Sequence, residues 1–299
     1  MVRCEVKETV RKDLTELPEL PEVETVRKGL VQLIAGKTIS QVEVSWPNII
    51  TTEEPLELWE EMLVGQKIQS VGRRGKYLVF EMTDWLLISH LRMEGKYLFF
   101  NQEELPAIPN KHTHVRFTFS DGSQLHYHDV RKFGRMERIL NTSQTYEAYF
   151  QHKKLGPEPI REQFKQAVFK EQLARINRAI KPTLLDQKLV VGLGNIYVDE
   201  ALFRSGIHPA TPAKKLTDSQ IEVLYDAIIK VLEEAVIAGG SSIRTYRNTL
   251  GEAGEFQTSL AVYGRQGEAC VRCGHEIMKQ QFAQRGTHFC PQCQPLIAE

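Results

Sequence analysis

The chain has 299 residues, 41% hydrophobic and 25% charged, with 38 basic and 38 acidic side chains. That length can bury two cores or one large one, and no run of about 18 apolar residues is present to form a transmembrane helix. Balanced charge argues against a chain basic throughout, so contact with nucleic acid would need a local basic face.

Residues 1–16 are polar and balanced in charge, without the apolar centre of a secretory signal, and the cytoplasm is the default compartment. Pro18 and Pro21 then punctuate the chain. Val23, Val26, Leu30, Leu33 and Ile34 follow at helical spacing, and Gly36 stops the run. Residues 38 to about 138 read as strands, among them Tyr77–Phe80, Trp85–Ile88 and Val115–Phe119. Ser120-Asp121-Gly122-Ser123 is a hairpin turn between two of them.

From about residue 145 the pattern turns helical, with Leu155-Gly156-Pro157-Glu158-Pro159 as a linker. Thr217 with Gln220 forms a capping box for a helix through Ile221, Leu224, Ile228 and Leu232, which Gly239-Gly240 ends. Strands, then helices, then a short cysteine-bearing tail predict an α+β chain of two domains and a small appended module. The expected boundaries are an extension over 1–17, a β-rich domain over 18–150, a helical domain over 151–258 and the tail over 259–299.

Cys270 and Cys273, then Cys290 and Cys293, give C-x2-C-x16-C-x2-C. Two thiolates on each of two tight turns supply the corners of a tetrahedron, which predicts one zinc ion. All four positions are filled, so the zinc is structural, and it supplies the folding energy that so short a segment lacks. Cys4 stands outside the pattern.

Two basic clusters stand out: Arg73-Arg74-Gly75-Lys76, and Lys170, Arg175, Arg178, Lys181 and Lys188. His112-Thr113-His114 and His126-Tyr127-His128 flank the Asp121-Gly122 turn. A two-residue loop there would put His114 opposite Asp129, His112 opposite Arg131 and His128 opposite Val115. The two histidine pairs would then face opposite sides of the ribbon and share no metal. Asp129, Arg131 and Phe133 would continue the face of His112 and His114. Gly192-Leu193-Gly194-Asn195 lacks the third glycine and the βαβ setting of a dinucleotide site. It reads instead as a tight turn before a helix near Asn195, whose amides would hold a phosphate.

In order along the chain, six segments resemble the formamidopyrimidine-DNA glycosylase family. They are Pro18-Glu19-Leu20-Pro21-Glu22-Val23-Glu24-Thr25-Val26-Arg27, Lys76 with its flanks, His90-Leu91-Arg92-Met93-Glu94-Gly95, Asp129-Val130-Arg131-Lys132-Phe133-Gly134, Leu189–Tyr197, and the four-cysteine finger with Arg285 between its pairs. The resemblance implies a β-sandwich-like domain with a leading helix, then a helix–two-turn–helix domain with a zinc finger. It implies a monomer of the bacterial cytoplasm, associated with the nucleoid, acting on damaged double-stranded DNA. The implied activity is excision of oxidised purines (8-oxoguanine and formamidopyrimidines) and β,δ-elimination in base excision repair.

By this resemblance Pro18 is the nucleophile, Glu19 the general acid/base, Lys76 a proton donor or phosphate holder, and Arg285 a contributor to the second elimination. An α-amine suits the first role because its pKa is about 7.7–8.0 against about 10.4 for lysine. Met93, Arg131 and Phe133 would fill the gap left by a flipped base and read its partner. His112, Arg175, Lys181 and Asn195 would hold phosphates. Residues 242–256 resemble a loop over the damaged base, and Glu22 would touch the base or serve the first turn of its helix.

Two features depart from the family. Asp129-Val130-Arg131-Lys132 replaces the usual Asp-Pro-Arg-Arg. Pro18 follows Leu17, so its nitrogen is an amide without a nucleophilic lone pair. A leucine codon such as TTG can start translation, and a start at Leu17 would leave Pro18 at the amino terminus. If the extension is real, the chain is a lesion binder without lyase activity. An endonuclease VIII-type enzyme for oxidised pyrimidines is the other alternative, disfavoured by the intact Met93, Arg131 and Phe133 set.

Overall fold

The computed structural model describes residues 18–108, 110–241 and 254–296. Cys4, Leu17, and residues 242–253 of the expected base-covering loop lie outside them. Helix α1 (Leu20–Ile34) opens the fold with a capping box between Glu19 and Glu22. Gly36 follows it at φ +83°, a left-handed conformation that glycine adopts at little cost.

Strands β1 (Ile39–Val44), β2 (Ile50–Thr51), β3 (Ile68–Arg74), β4 (Tyr77–Met82), β5 (Trp85–His90), β6 (Lys96–Phe100), β7 (Thr113–Phe119), β8 (Gln124–His128) and β9 (Arg135–Leu140) follow, with the short helix α2 (Leu56–Glu61) after β2. They make two sheets, of order β1-β7-β8-β6 and β2-β9-β5-β4-β3. Inward-facing Val42, Phe117, Leu125 and Tyr127 of one sheet meet Val71, Leu78, Phe80 and Leu87 of the other, and Val23, Val26, Leu30 and Ile34 of α1 close the core. The apolar run in β4 is continuous because both its faces are covered. Leu78 and Phe80 point into the sandwich, while Val79 packs with Phe150 of helix α3 (Ser143–His152).

The helical part holds α4 (Gln166–Leu173), α5 (Ile180–Leu185), α6 (Asn195–Arg204) and α7 (Asp218–Ile237). Thr217 and Gln220 cap α7 reciprocally, as their spacing predicts. These helices bury a second core that includes Ile180, Leu184, Leu193, Ile196, Leu202, Leu224, Ile228 and Leu232, and also Leu20 of α1. A two-stranded ribbon, β10 (Met278–Phe282) and β11 (Arg285–Phe289), completes the chain. The expected α+β architecture holds: a β-sandwich with a leading helix, then helices and a cysteine finger.

The β7–β8 hairpin corrects one expectation. Gly122 sits at φ +82° and donates to Phe119 O at 2.9 Å, while Phe119 N donates to Ser123 O, so the loop has three residues, not two. Val115 therefore faces Tyr127 rather than His128, and a bulge brings Thr113 opposite His128. The His112 and His128 rings meet edge-on at 5.6 Å rather than facing opposite sides. The strand also stops at His128, so Asp129–Gly134 is a loop rather than a continuing face.

Candidate active site and nucleic-acid interface

The first turn of α1 meets the amino terminus of α6 at the seam between the cores. Glu19 is almost fully buried, and its carboxylate crosses the seam. Oε1 accepts from Ile196 N at 2.7 Å, and Oε2 accepts from Tyr197 N at 3.4 Å and from Gly194 N. Unpaired amides and the helix dipole make this terminus a natural anion seat. Its anion is an internal carboxylate, which corrects the expectation that these backbone amides hold a phosphate.

The Gly-Leu-Gly turn exists to allow this approach. A Cβ on Gly194 would lie 2.3 Å from the Glu19 carboxyl carbon, and one on Gly192 would lie 2.7 Å from Leu20 Cβ. Leu20 N also donates to Gly192 O at 3.1 Å. Pro18 is buried directly ahead of Glu19.

Burial pushes the Glu19 carboxyl up to about 7, outweighing Lys76 and the amides of Ile196 and Gly194, with the nearby Glu22 charge adding to the rise. A carboxyl there is present in both protonation states near neutrality, as a group that both gives and takes a proton must be. Burial likewise lowers the Lys76 ammonium, against the attraction of Glu19 and Glu22 and helped by Arg285. Lys76 Nζ donates to Leu193 O at 2.8 Å, in the same turn that receives Glu19.

Arg73 and Arg74 are not a free basic patch. Glu158 of the linker accepts from Arg73 Nη1 and Arg74 Nη1, both at 2.9 Å, and from Gly75 N at 2.6 Å. Arg73 Nε also reaches Glu24 of α1 at 3.0 Å. This network fixes the β3–β4 turn that presents Lys76. Glu22 reaches across too: it accepts from Tyr197 Oη at 2.6 Å, from Ser241 N at 2.7 Å and from Glu19 N at 3.0 Å.

Met93, Arg131 and Phe133 stand on two adjacent loops. Tyr127 lies beneath both, since a Cβ on Gly95 would meet its hydroxyl at 2.1 Å and one on Gly134 at 1.8 Å. Asp129, fully buried, clasps the second loop by accepting from Arg131 N at 3.0 Å and Gly134 N at 2.8 Å. Phe133 is 45% exposed, with the Arg131 guanidinium 5.0 Å from its ring centre. Lys132 Nζ lies 3.8 Å from the centre of Trp46, which anchors the loop's far side. His114, also on this side, hydrogen-bonds Asp129 O at 2.7 Å, and His112 is half-buried beside His128.

Other expected contacts fall elsewhere. Arg175 is exposed just past α4 and pairs with Glu171. Asn195 Nδ2 donates to Gly286 O at 2.9 Å and to Tyr263 Oη at 3.3 Å. Lys181 does not face solvent. Its ammonium is fully buried and donates to Asp199 at 2.7 Å, Thr287 Oγ1 at 2.7 Å and Gly286 O at 3.3 Å. All three donors are spent inside the protein, so it has none to offer a phosphate. Arg285 is exposed at the turn of the β10–β11 ribbon, and its charge bears on both Lys76 and Lys181.

Sequence reasoning missed Glu158, Asp199, Glu200 and His90. His90 Nδ1 accepts Arg92 N at 3.0 Å, which shapes the Met93 loop. Only His90 carried a local signal, being the first residue of that loop's motif, where sequence reasoning gave it no role of its own. Glu158 and Asp199 owe their roles to distant partners, Gly75 at 83 positions and the His288 amide at 89.

The sulfurs of Cys270, Cys273, Cys290 and Cys293 all lie within 4.8 Å of one another, with Cys270–Cys293 at 3.9 Å and Cys273–Cys290 at 3.5 Å. Zn–S bonds of about 2.3 Å give tetrahedral edges of about 3.8 Å, so the four thiolates fit one structural zinc. Among the described residues, Phe203, Val262, Ile277 and the partly buried Ala261 pack with the cysteines, too small a core to stand without metal. Among the described residues no helix is long and apolar enough to cross a membrane.

Three family models match in chain order: formamidopyrimidine-DNA glycosylase N-terminal domain over residues 17–136, formamidopyrimidine-DNA glycosylase H2TH domain over 155–247, and the zinc finger found in FPG and IleRS over 267–296. The formamidopyrimidine-DNA glycosylase of Enterococcus faecalis is 55% identical over 281 residues, 94% of this chain and 98% of that protein. That of Bacillus subtilis is 51% identical over 278 residues, 93% and 99% of the two chains. Lactococcus lactis Fpg in complex with abasic-site DNA superposes with a TM-score of 0.87 at 49% identity, covering 93% of this chain and 99% of that one. A mutant of that protein bound to Fapy-dG-containing DNA gives 0.88 at 49%, covering 93% and 100%. With most of its sandwich, its Glu19-capped helix and its four-cysteine finger covered by these matches in turn, the chain belongs to the formamidopyrimidine-DNA glycosylase family of DNA-repair enzymes.

Proposed function

We propose that this chain is a monomeric bifunctional glycosylase and abasic-site lyase that excises 8-oxoguanine and formamidopyrimidines from duplex DNA and then nicks the strand by β,δ-elimination. The observation that carries the reading is the Glu19 carboxyl, buried beside Pro18 and Lys76 and poised at about 7. The Pro18 amine attacks the sugar C1′ and the C1′–base bond breaks, the base leaving with a proton. The ring opens and the amine nitrogen supplies its lone pair, giving an iminium. This acidifies C2′, whose proton is removed as the 3′ phosphate departs. A second elimination expels the 5′ phosphate, and water releases the sugar fragment from Pro18. Glu19 shuttles the proton at the sugar ring oxygen, and Lys76 holds the adjacent phosphate or donates a proton.

Extruding the base costs a few kcal/mol. Exposed Phe133 and half-buried Met93 are placed to refill the stack, with Arg131 reading the orphaned base. His112, Arg175 and the backbone amide of Asn195, whose side-chain NH2 is taken up by Gly286 O and Tyr263 Oη, are the proposed phosphate contacts.

The chemistry requires a free amine on Pro18, and therefore a working chain that lacks residues 1–17. The matched N-terminal domain begins at residue 17, which supports that reading. Borohydride trapping tests it. The gene is expressed from its native start region, mixed with a duplex bearing 8-oxoguanine opposite cytosine, and reduced. The expected product is a covalent adduct whose linked peptide begins at Pro18. Tight lesion binding without an adduct would mean that the extension is retained and the chain is a binder.

A further inference from the structure

Lys181 on α5 and Asp199 on α6 form a fully buried ion pair. Buried pairs of this kind often stabilise no better than apolar residues of the same shape, and in some proteins what they add is direction. Here the direction is toward the finger ribbon. Lys181 Nζ donates to Thr287 Oγ1 at 2.7 Å and Gly286 O at 3.3 Å, and the other Asp199 oxygen accepts His288 N at 2.8 Å. Thr287 Oγ1 in turn donates to Arg285 O at 3.2 Å. Asn195 holds Gly286 O from a second side at 2.9 Å.

Residues 285 to 288 are therefore each fixed by a polar bond traceable to α5 or α6. The preceding segment is held by the next residue of the same helix, since Glu200 accepts from Ala261, Val262 and Tyr263 N, each at 2.9 Å. The helix that fixes the finger also seats the Glu19 carboxylate at its first turn. One rigid ten-residue element thus sets where Arg285 stands relative to Glu19.

We propose that Lys181 and Asp199 are positioning residues for Arg285, acting through Thr287 and Gly286 to register the finger tip on the second elimination. An apolar pair would fill the space but would leave the ribbon free to slide. This inference rests on the proposed lyase activity and on Arg285 acting in its second step.

The test uses zinc-loaded enzyme beginning at Pro18 and a duplex with a preformed abasic site. Lys181→Met leaves Asp199 unpaired and risks the fold, so Thr287→Val accompanies it, removing only the hydroxyl relay. The readouts are zinc content, melting temperature, first-cleavage rate and the ratio of β- to δ-elimination products. Both variants should keep zinc and the first-cleavage rate while shifting products toward β-elimination about 3- to 10-fold. Adding Thr287→Val to Arg285→Ala should shift the ratio no further, as for residues acting as one unit. An unchanged ratio with only a lower melting temperature, or additive shifts, overturns the inference while the lyase reading stands. A wild-type enzyme that cuts nothing overturns both.

Discussion

Ser241 and Glu22 lie 219 positions apart, yet the Ser241 amide donates to Glu22 Oε1 at 2.7 Å. The same carboxylate takes the Tyr197 hydroxyl on that oxygen and the Glu19 amide on the other. Phe256 N donates to Gly240 O at 3.0 Å and Glu255 N to Ala238 O at 2.9 Å, so the segment expected to cover the damaged base leaves and returns at one neck. Glu22 is the anchor of that neck.

Glu22→Gln would turn an amide NH2 toward groups that are themselves donors. The expected cost is about 1–3 kcal/mol of stability, read as a lower denaturant midpoint. Excision of 8-oxoguanine should fall further than cleavage at a preformed abasic site, because only excision needs the base held. Equal losses on both substrates would mean that Glu22 serves the fold alone.

Glu19 makes stability depend on pH in a stated direction. Its carboxyl titrates near 4.5 in an unfolded chain and at about 7 in the fold. Between those values the native state binds the extra proton, so stability is greatest below the lower value and falls as pH rises toward the upper one. The slope approaches about 1.4 kcal/mol per pH unit for one group. Denaturant unfolding of wild type and Glu19→Gln at several pH values across this window should show wild type losing stability relative to the variant. Parallel curves would remove Glu19 as the titrating group.

Chelation of zinc should unfold the finger and spare the rest. The finger core holds few apolar side chains, whereas α6 and α7 belong to the large helical core. After chelation, amides of β10 and β11 should exchange freely while those of α7 stay protected. Affinity for abasic-site duplex should drop with the loss of the Arg285 ribbon. Retained protection in β11 would show that the finger stands on its packing.

Phe133→Ala should separate function from stability. The side chain is 45% exposed, so the fold should change by no more than about 0.5 kcal/mol. Binding to a lesion duplex should weaken about ten- to a hundredfold, about 1.4–2.7 kcal/mol, while binding to single-stranded lesion DNA should hardly move. A large melting shift would instead make Phe133 a packing residue.

Much of this was legible because its cause is local. The helix after Pro21, the Thr217–Gln220 cap and the two cysteine pairs each depend on residues within a few positions. The β7–β8 loop was misjudged by one residue because Asp121-Gly122 suits two turn types; a two-residue Asp-Gly loop would need both residues left-handed, and only Gly122 is, which is the pattern of the longer loop. A slip of one residue exchanges the faces of a strand, which is why the histidine arrangement went with it. Lys181 looked like a surface charge because nothing near it in sequence announces Asp199 or Thr287, 18 and 106 positions away. The capping of α6 by Glu19 was hidden for the same reason, since Gly194 is 175 positions distant.

Helix α1 has one further consequence. Leu20 belongs to the helical core and Val23 to the sandwich, so the chain passes from one body to the other in less than a helical turn. A pivot so short has almost no lever arm. If the two bodies tilt to admit a duplex, their outer surfaces, with the Phe133 loop on one and the finger on the other, sweep the largest arcs. Pro18 and Glu19 sit at the fulcrum and travel least. On the proposed chemistry, such a tilt would move the surfaces that meet DNA while leaving Pro18 and Glu19 in place.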